Sequence, residues 1–382
     1  MPSVERRWTT DTGDDLLAMV RELCANELAP NAADAESASE FPREVFRTLG
    51  RSGLLGLPFS AEYGGGGLAF HDYLQVLEEI ATAWGTVALG VSVHTLSCFP
   101  LATYGSTEQQ RHWLPEMLAG DQLGAYCLSE VDAGSDAAAL TTSAERSGDE
   151  FIVNGTKAWI THGGVADFYA LMARTGDVGA RGISCLLVPA ETDGLSAATP
   201  ERKLGFTASP TAQVRFDNVH VPVERRLGAD GQGFEIAMAA LDAGRLGIAA
   251  CAVGIAQAAL DLAVDHAKHR EQFGRPVAQF QGLSFMLADM ATNVVAAREL
   301  YLAAARRKDA GLEFSTQASM AKLFATDMAM AVTTDAVQVL GGSGYVRDFP
   351  AERYFREAKA LQIVEGTNQI QRMVIGRALT QP

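Results

Sequence analysis

The spacing of apolar residues along the chain changes twice, and it divides the 382 residues into three parts. From about residue 14 to residue 121, apolar side chains recur every three or four positions, as on one face of a helix. After Gln122 the segments become short and rich in β-branched residues. Helical spacing then returns in runs at 233–268, 280–309 and 315–340, each long enough for a bundle helix.

This pattern predicts an α+β multidomain protein. The N-terminal α-helical domain is placed at 1–121, the middle antiparallel β domain at 122–228 and the C-terminal four-helix-bundle domain at 229–382. No predicted strand leads through a glycine loop into a helix, so a Rossmann dinucleotide site has no support. The P-loop, GxSxG and HExxH motifs are also absent from the sequence.

Within the middle part, Asn154-Gly155 separates two short runs, 150–153 and 156–160, that are rich in strand-forming residues. Asn-Gly between such runs is the strongest short-range signal for a β-hairpin, because both residues tolerate positive φ. We therefore predict a hairpin that turns at Asn154-Gly155. Further strands are predicted at 169–173, 183–189 and 212–216.

Local signals also place helix ends. Thr107, followed three residues later by Gln110, has the sequence of a capping box and predicts a helix N-terminus. The apolar stretch 73–97 is predicted to be helical. The glycine-rich segment 341–344 predicts the end of the run at 315–340.

Composition narrows the possible functions. With 48% hydrophobic and 20% charged residues the chain can bury large cores, and its net charge of −15 argues against nucleic acid or an anionic membrane as partner. The five cysteines are scattered without a CxxC, so neither a disulfide framework nor a metal site is predicted. No apolar run follows Arg6-Arg7, and the most apolar stretch, 246–256, is shorter than a membrane span. We therefore expect a cytoplasmic protein.

The stretch 361–372 carries candidate chemistry. Its centre is a lone carboxylate, Glu365, followed by Gly366, which lets the backbone pass close to a ligand. Thr367 is predicted to be the N-cap residue of a short helix. A carboxylate beside a helix N-terminus can take up a proton while the free N–H groups favour nearby negative charge. The alternative is a polar loop in which the glutamate is merely solvated.

Five separated segments resemble the motifs of one family. They are 126–136 (YCLSEVDAGSD), 157–164 (KAWITHGG), 270–276 (REQFGRP), 338–345 (QVLGGSGY) and the stretch around Glu365. One such segment alone has little specificity, but their order and spacing resemble the acyl-CoA dehydrogenases over essentially the whole chain. The segment 241–249 (LDAGRLGIA) is similar to the short-chain, butyryl-CoA dehydrogenase-like members of bacterial type.

The resemblance implies a homotetramer, a dimer of dimers, with FAD in each subunit. FAD would lie between the β domain and the C-terminal helices, with its adenosine end reaching a neighbouring subunit. The substrate would be an acyl-CoA thioester, as in fatty acid β-oxidation, and the product its trans-2-enoyl-CoA. An electron-transferring flavoprotein would accept the electrons.

The resemblance also assigns positions to FAD. The isoalloxazine ring would contact Leu128, Ser129, Trp159 and Thr161, and Tyr126 would belong to the same cofactor site. The pyrophosphate would contact Arg270, with Gln272 and Phe273 beside it. The FAD of the partner subunit would contact Gln281, Gln338, Gly341 and Gly342, and FAD would also contact Thr367 and Gln369. Arginine suits bidentate phosphate contact, and an indole keeps water off a flavin ring. The alternatives are a tryptophan that fills a β core, an arginine at a helix C-terminus and a glycine helix stop.

The positions that contact the CoA ester in the family are Ser135, Asp242, Arg245 and Gly366. Asp242 and Arg245 are three residues apart on a helix, so an ordinary surface ion pair is the alternative. In the implied reaction Glu365 takes the α-proton and flavin N5 accepts the β-hydride. Hydrogen bonds to the thioester oxygen, from a ribityl hydroxyl and the backbone N–H of Glu365, would stabilise the enolate-like charge.

One position departs from the family pattern, because Val364 stands where many members have an aromatic residue before the glutamate. Ala88, Ser92 and Leu96, on one helix face, are predicted to line the acyl pocket. The same fold could also serve an acyl-CoA oxidase or a dehydrogenase of acyl-carrier-protein thioesters. A catalytically silent helical scaffold is the alternative from another class, and the complete flavin set argues against it.

Overall fold

The computed structural model describes residues 4–380, and its first part is helical. Helix α1 (Gly13–Leu23) continues through a π-helical turn at Cys24–Leu28 into α2 (Ala29–Ala38). The remaining N-terminal helices are α3 (Arg43–Arg51), α4 (Phe70–Ala83), α5 (Gly85–Tyr104) and α6 (Thr107–Leu118). The predicted N-terminal helical region is therefore confirmed.

Two details of this region add to or correct the prediction. The stretch 73–97 is helical as predicted, but Trp84 takes an extended conformation that divides it into α4 and α5. Its indole is buried, and the N–H donates to the carboxylate of Glu36 at 3.0 Å. The predicted capping box lies one residue earlier: Ser106 Oγ accepts from the backbone N–H of Gln109, and Gln109 Oε1 accepts from that of Ser106.

The middle of the chain forms one sheet of eight strands. They are β1 (Gly124–Cys127), β2 (Ser143–Ser147), β3 (Glu150–Thr161), β4 (Phe168–Arg174), β5 (Ile183–Pro189), β6 (Leu195–Ala197), β7 (Thr211–Pro222) and β8 (Arg226–Leu227). The strand order is β6-β7-β3-β2-β4-β5-β8, with β1 paired to β4. The pairs β1–β4 and β2–β4 are parallel, so the sheet is mixed and the prediction of a purely antiparallel sheet was wrong in this respect.

The predicted hairpin at Asn154-Gly155 was also wrong. Strand β3 continues through these residues with a bulge against β7, and the turn lies at 148–149, where Ser147 pairs with Glu150. The glycine serves close packing instead, since a Cβ on Gly155 would lie 2.5 Å from Thr142 Oγ1. A bulge and a close backbone approach are the other common reasons for glycine inside a strand.

Long helices make up the last part of the chain. They are α7 (Gly233–His269), α8 (Gln281–Asp309), α9 (Ser315–Leu340), α10 (Gly342–Tyr345), α11 (Ala351–Leu361) and α12 (Asn368–Thr380), with a two-strand hairpin, β9 (Glu271–Gln272) and β10 (Arg275–Pro276), after α7. The three predicted long runs are confirmed to within one residue at each end. Gly341, at φ +59°, ends α9 as predicted.

The two helical parts share one hydrophobic core. Helix α7 packs against α4, α5, α9 and α8, and the core joins residues such as Leu77 and Val87 of the first part to Leu246, Val253 and Val332 of the last. The order of helices, sheet and helices confirms the predicted fold class. The exact bounds 1–121, 122–228 and 229–382 stay predictions.

Two of these core helices, α5 and α7, are long and apolar enough to cross a membrane. The expectation that no apolar stretch has the length of a span was therefore wrong as a matter of length. In both helices 83% of the most apolar window is buried inside the protein, as in the core helices of a bundle.

Two buried histidines join the helices to the sheet. His94 of α5 accepts from the backbone N–H of Gly124 at Nδ1 (3.0 Å), and its Nε2 donates to Met117 O of α6 (2.9 Å). His162, which follows β3, donates from Nδ1 to Gly124 O (2.9 Å). Burial lowers the pKa of His94 to about 3 and that of His162 to about 4. Both rings are therefore neutral in the folded protein at neutral pH.

We predict that this arrangement makes the fold acid-sensitive. In the unfolded chain a histidine regains a pKa near 6.5, so the unfolded state binds more protons than the folded state below that pH. The stability that neutral His162 contributes is complete above pH 6.5 and is lost as the pH falls toward about 4. The difference in unfolding free energy between wild type and His162→Phe should therefore narrow by up to about 1.4 kcal/mol per pH unit below that point. Denaturant titrations at several pH values measure it. The same substitution at the exposed His112 should give a constant difference, and equal slopes for both variants would contradict the prediction.

Candidate active site

Glu365 lies in the loop between α11 and α12, and its side chain is not solvated. Both carboxylate oxygens are buried and have no hydrogen-bond partner within residues 4–380. The residue has φ +51°, a left-handed conformation that costs a non-glycine residue about 1–3 kcal/mol. Such strain persists where the surroundings enforce it, and it is concentrated at functional sites. The alternative of a merely solvated glutamate is therefore wrong.

The carboxylate of Glu365 lies directly against the backbone of α7. A Cβ added to Gly244 would be 2.0 Å from Glu365 Oε2, and Leu96 Cδ1 lies 3.2 Å from the same point. Gly244 and Leu96 also line a cavity of about 210 Å³ between α4, α5 and α7. Glu365 thus contacts the wall of this cavity at Gly244.

The residues predicted to line the acyl pocket lie differently with respect to this cavity. Its lining includes Tyr73, Ser92, Leu96, Gly247 and Lys308. Ser92 and Leu96 are therefore part of the lining, whereas Ala88 is fully buried in the helical core and is not. The role of all three in an acyl pocket stays a prediction.

The helix after Glu365 begins as the sequence predicts. Helix α12 starts at Asn368, and Thr367 Oγ1 accepts from the backbone N–H of Ile370 at 3.3 Å, which confirms Thr367 as the N-cap residue. The positive end of this helix therefore lies two residues beyond the carboxylate of Glu365. Gln369, in the first turn, is exposed.

A buried lysine fixes the loop to α9. Lys322 Nζ donates to Gly366 O at 2.9 Å and to Asn368 Oδ1 at 2.8 Å. Gln371 Nε2 donates to the same carbonyl of Gly366 at 2.8 Å, and Asn368 Nδ2 donates to Asp327 Oδ1 at 2.7 Å. Sequence reasoning missed Lys322. The available signal was a single lysine within the apolar run of α9, where an unpaired charge would be costly.

The surroundings adjust the acidity of Glu365. Burial raises its pKa to about 7, and the positive charges of Lys322 and Arg245 partly oppose that rise. A carboxylate with a pKa near neutrality is a better match for proton transfer at physiological pH than a free glutamate. The site therefore has a general base candidate in a suitable environment.

A second buried charge pair organises the predicted flavin-facing segments. Lys157 of β3 is fully buried, and its Nζ donates to Leu128 O and to Glu130 Oε1, both at 2.9 Å. Ser129 O accepts from the backbone N–H of Ala158 at 2.9 Å. The segments 126–136 and 157–164, separated in sequence, are therefore adjacent, and Leu128 and Ser129 are held beside β3.

Trp159 follows Lys157 on β3 and faces outward. Its side chain is 62% exposed, and its backbone has φ +63°. The alternative of a tryptophan that fills the β core is therefore wrong. Thr161 is half-buried two residues further on, and Tyr126 has a buried hydroxyl without a partner in the described chain. An exposed indole fits the face of a planar ring such as a flavin.

Asp242 and Arg245 form the ion pair that the alternative predicted, but it is not a surface pair. Arg245 is 5% exposed and also lies within 3.4 Å of Ser319 Oγ, while Asp242 accepts from Ser315 Oγ at 2.8 Å. Burial raises the pKa of Asp242, and the charge of Arg245 opposes that rise. Ser135, the other predicted substrate contact, is exposed in the segment after β1.

The remaining predicted FAD residues lie at the opposite end of the helices. Arg270, Gln272, Phe273, Gln281, Gln338, Gly341 and Gly342 are all exposed there. Gln338 is sixteen residues beyond Lys322 on α9, or roughly 24 Å along the helix axis. Phe273 is 92% exposed at φ +53°. One chain therefore does not bring this group of residues to Glu365.

Family models, relatives and solved structures match this chain over nearly its whole length. The N-terminal, middle and C-terminal domain models of acyl-CoA dehydrogenase match residues 10–121, 125–219 and 231–380. The short-chain specific acyl-CoA dehydrogenase of Clostridium acetobutylicum is 44% identical over 94% of this chain and 95% of its own. Among solved structures, butyryl-CoA dehydrogenase from Megasphaera elsdenii has a TM-score of 0.96 at 39% identity, covering 99% of this chain and 100% of its own. A chain in the structure of the electron transferring flavoprotein of Acidaminococcus fermentans has a TM-score of 0.97 at 42% identity, covering 99% and 100%.

Fold and site together define a flavin-dependent oxidoreductase. The chain belongs to the acyl-CoA dehydrogenase family. Its cofactor is FAD, and it dehydrogenates acyl-CoA thioesters. The same comparisons do not favour an oxidase or a silent scaffold.

The buried pair of Lys157 and Glu130 leads to a stability prediction. Glu130→Gln removes the counter-charge of a fully buried ammonium, which typically costs about 3–5 kcal/mol. We expect a large drop in the thermal unfolding midpoint and weaker retention of FAD, because the ion pair that helps to hold residues 128–130 to β3 is lost, while only the hydrogen bonds of Leu128 O and Ser129 O remain. Differential scanning calorimetry and the flavin absorbance after dialysis measure both effects. Glu150→Gln, which affects an exposed pair with His220, should change neither, and equal behaviour of the two variants would contradict the prediction.

Proposed function

We propose that Glu365 is the catalytic base that removes the α-proton of the acyl-CoA thioester. The observation that carries this proposal is a buried, unpaired carboxylate, held at positive φ against Gly244 on the border of a cavity. Within residues 4–380, no group donates a hydrogen bond to this carboxylate. A reacting group of the substrate would give the carboxylate a partner.

The residues around Glu365 have separable tasks in this proposal. Gly244 leaves the space in which the carboxylate can meet the substrate Cα, and the loop hydrogen bonds keep it there. The backbone N–H of Glu365 and the N-terminus of α12 favour the negative charge that develops on the thioester oxygen. FAD supplies the acceptor for the β-hydride when it is bound.

We further propose how FAD and substrate are held. Trp159, Tyr126 and Thr161 would contact the flavin ring, with Leu128 and Ser129 fixed beside it by Lys157. The ion pair of Asp242 and Arg245 would orient the CoA ester, together with Ser135 and Gly366. Thr367 and Gln369, at the start of α12, would meet the cofactor close to the base.

We propose a homotetramer, because the predicted FAD residues at the far end of α8 and α9 need a second chain to reach a flavin. Exposed apolar side chains on these helices, namely Phe285, Val295, Leu300, Met320 and Phe324, support an interface there. Light scattering of the FAD-loaded protein should give four times the chain mass. A monomer that keeps its FAD at micromolar concentration would contradict this.

We propose an electron-transferring flavoprotein as the electron acceptor and the cytoplasm as the location. The structural similarity to a chain solved with such a flavoprotein supports the first, and the bacterial relatives support the second. The CoA thioesters in the names of the relatives support CoA over an acyl carrier protein.

Replacing the proposed base tests the function directly. Glu365→Gln keeps the size of the side chain but cannot accept the proton, so flavin reduction by butyryl-CoA should slow by about 10²–10⁴-fold or more. FAD should remain bound, because the cofactor contacts are unchanged. Stopped-flow absorbance measures the reduction rate.

A matched control is available in Glu357, a second buried glutamate whose oxygens also lack hydrogen-bond partners within residues 4–380. It lies on α11, against Gly85 of α5. Glu357→Gln should reduce its flavin at nearly the wild-type rate. Rapid flavin reduction by Glu365→Gln would place the base elsewhere.

Arg270 tests the proposed pyrophosphate site. Arg270→Ala removes a charge-assisted contact worth roughly 1.5–3 kcal/mol, so FAD should dissociate more readily and the tetramer should lose heat stability. Flavin content after extensive dialysis measures the first effect. Lys268→Ala, an exposed cation at the same end of α7, is the control. Equal flavin content in both variants would contradict the assignment.

A further inference from the structure

We propose that Lys322 is a positioning residue for the catalytic loop: its buried ammonium fixes the backbone that follows Glu365 and holds a positive charge near the base. The inference rests on the proposed role of Glu365. Nothing in the sequence motifs marks Lys322, and it meets the proposed substrate residues only through the backbone carbonyl of Gly366 among the described residues.

The geometry separates Lys322 from an ordinary buried ion pair. Among the described residues it forms no salt bridge, and its two hydrogen bonds go to neutral acceptors, Gly366 O and Asn368 Oδ1. These acceptors lie one and three residues after Glu365. A lysine that is fully buried, yet donates to the loop instead of to a carboxylate, acts on the position of that loop.

The loop needs such a restraint because its conformation is unfavourable on its own. Glu365 at φ +51° is followed by Gly366 at φ +89°, so two successive residues are left-handed. A non-glycine residue in this region relaxes unless its neighbours are held. If the loop relaxed, the Glu365 carboxylate would move away from its place against Gly244.

The charge of Lys322 acts on the base as well. Two positive charges favour the ionised carboxylate of Glu365, Lys322 from α9 and Arg245 from α7, against the larger effect of burial. The other titratable groups that interact with Glu365 are Tyr73 of α4, Tyr126 of β1 and Cys251 of α7. Burial keeps all three protonated and uncharged near neutral pH. The charges of Lys322 and Arg245 are therefore the ones that oppose the rise in the pKa of Glu365 caused by burial.

The pKa values of Lys322 and Glu365 depend on each other. Burial lowers the pKa of Lys322 to about 7, and the carboxylates of Glu365 and Asp327 oppose that effect. The ammonium is therefore charged on the acidic side of neutrality, which is the range where protonation of Glu365 would limit the rate. Removing the positive charge should therefore raise the pKa of Glu365 above its present value of about 7. The acidic limb of the pH–rate profile would then move to higher pH.

The experiment compares Lys322→Met and Lys322→Gln with wild type, as FAD-loaded proteins, in flavin reduction by butyryl-CoA over a pH range on both sides of neutrality. Both variants remove the charge, and only the glutamine retains a donor for Gly366 O. We expect the acidic limb of both variants to lie at higher pH than that of wild type. The rate at low pH should fall roughly tenfold for each pH unit by which the limb moves. We expect the methionine variant also to lose rate at high pH, where Glu365 is ionised in all proteins.

Both variants should fold, because the loop keeps other partners. Gly366 O still accepts from Gln371, and Asn368 still bonds Thr326 and Asp327. Thr326→Val is the matched control, since it removes a hydrogen bond to Asn368 next to Lys322 and keeps the charge. It should leave the acidic limb in place.

The outcomes are distinct. An acidic limb unchanged in both lysine variants, or moved equally by Thr326→Val, overturns the inference and leaves Glu365 as the base. Rapid reduction by Glu365→Gln overturns the proposed function itself. If Lys322→Met does not fold, Lys322→Gln alone decides, because the position of its acidic limb depends only on the charge.

Discussion

Burying a carboxylate without a hydrogen-bond partner costs free energy. The Glu365 carboxylate is buried in this way within residues 4–380, so the surrounding helices must hold it in place. The side chain lies in space that only glycine at position 244 leaves open. The loop that carries it has two consecutive left-handed residues and is held to α9 by Lys322 and Asn368. Packing of α7 against α4, α5 and α9 supplies the rigid frame on which this unfavourable arrangement depends.

The second buried charge, Lys157, is fully paired, in contrast to Glu365. Its ammonium is paired with Glu130, whose remaining capacity is filled by the backbone N–H groups of Thr141 and Thr142. A fully hydrogen-bonded network of this kind fixes the positions of the segments it joins, and none of its charged groups is left free to react. The fold thus pairs the buried charge that holds the segment proposed to face the flavin, and it leaves the carboxylate of the proposed base without a hydrogen-bond partner within residues 4–380.

The sequence predicted the features that repeat along the chain and missed those that depend on distant contacts. Sustained helical spacing defined α7, α8 and α9 almost to the residue. Asn154-Gly155 misled, because the same dipeptide suits a bulge that packs against Thr142, and no local pattern distinguishes a bulge from a turn. Glu365 was identified through its motif, but its burial and its left-handed backbone were not predictable. Both depend on contacts with Gly244 of α7 and Lys322 of α9, each more than forty residues away in sequence.

Backbone strain marks three segments that resemble family motifs. Trp159 and His162 are left-handed in the segment 157–164, Glu365 is left-handed in the loop before α12, and Phe273 is left-handed after α7 at the far end of the helices. Strain of this kind persists only where neighbouring residues enforce the conformation. For Glu365 those neighbours include Lys322 and Gly244 of the same chain. Phe273 is almost fully exposed and meets the ring of Phe280. In the proposed tetramer, contacts from FAD or the partner subunit would hold it further, so cofactor binding and assembly would be coupled at that end, whereas the proposed base is held by its own chain.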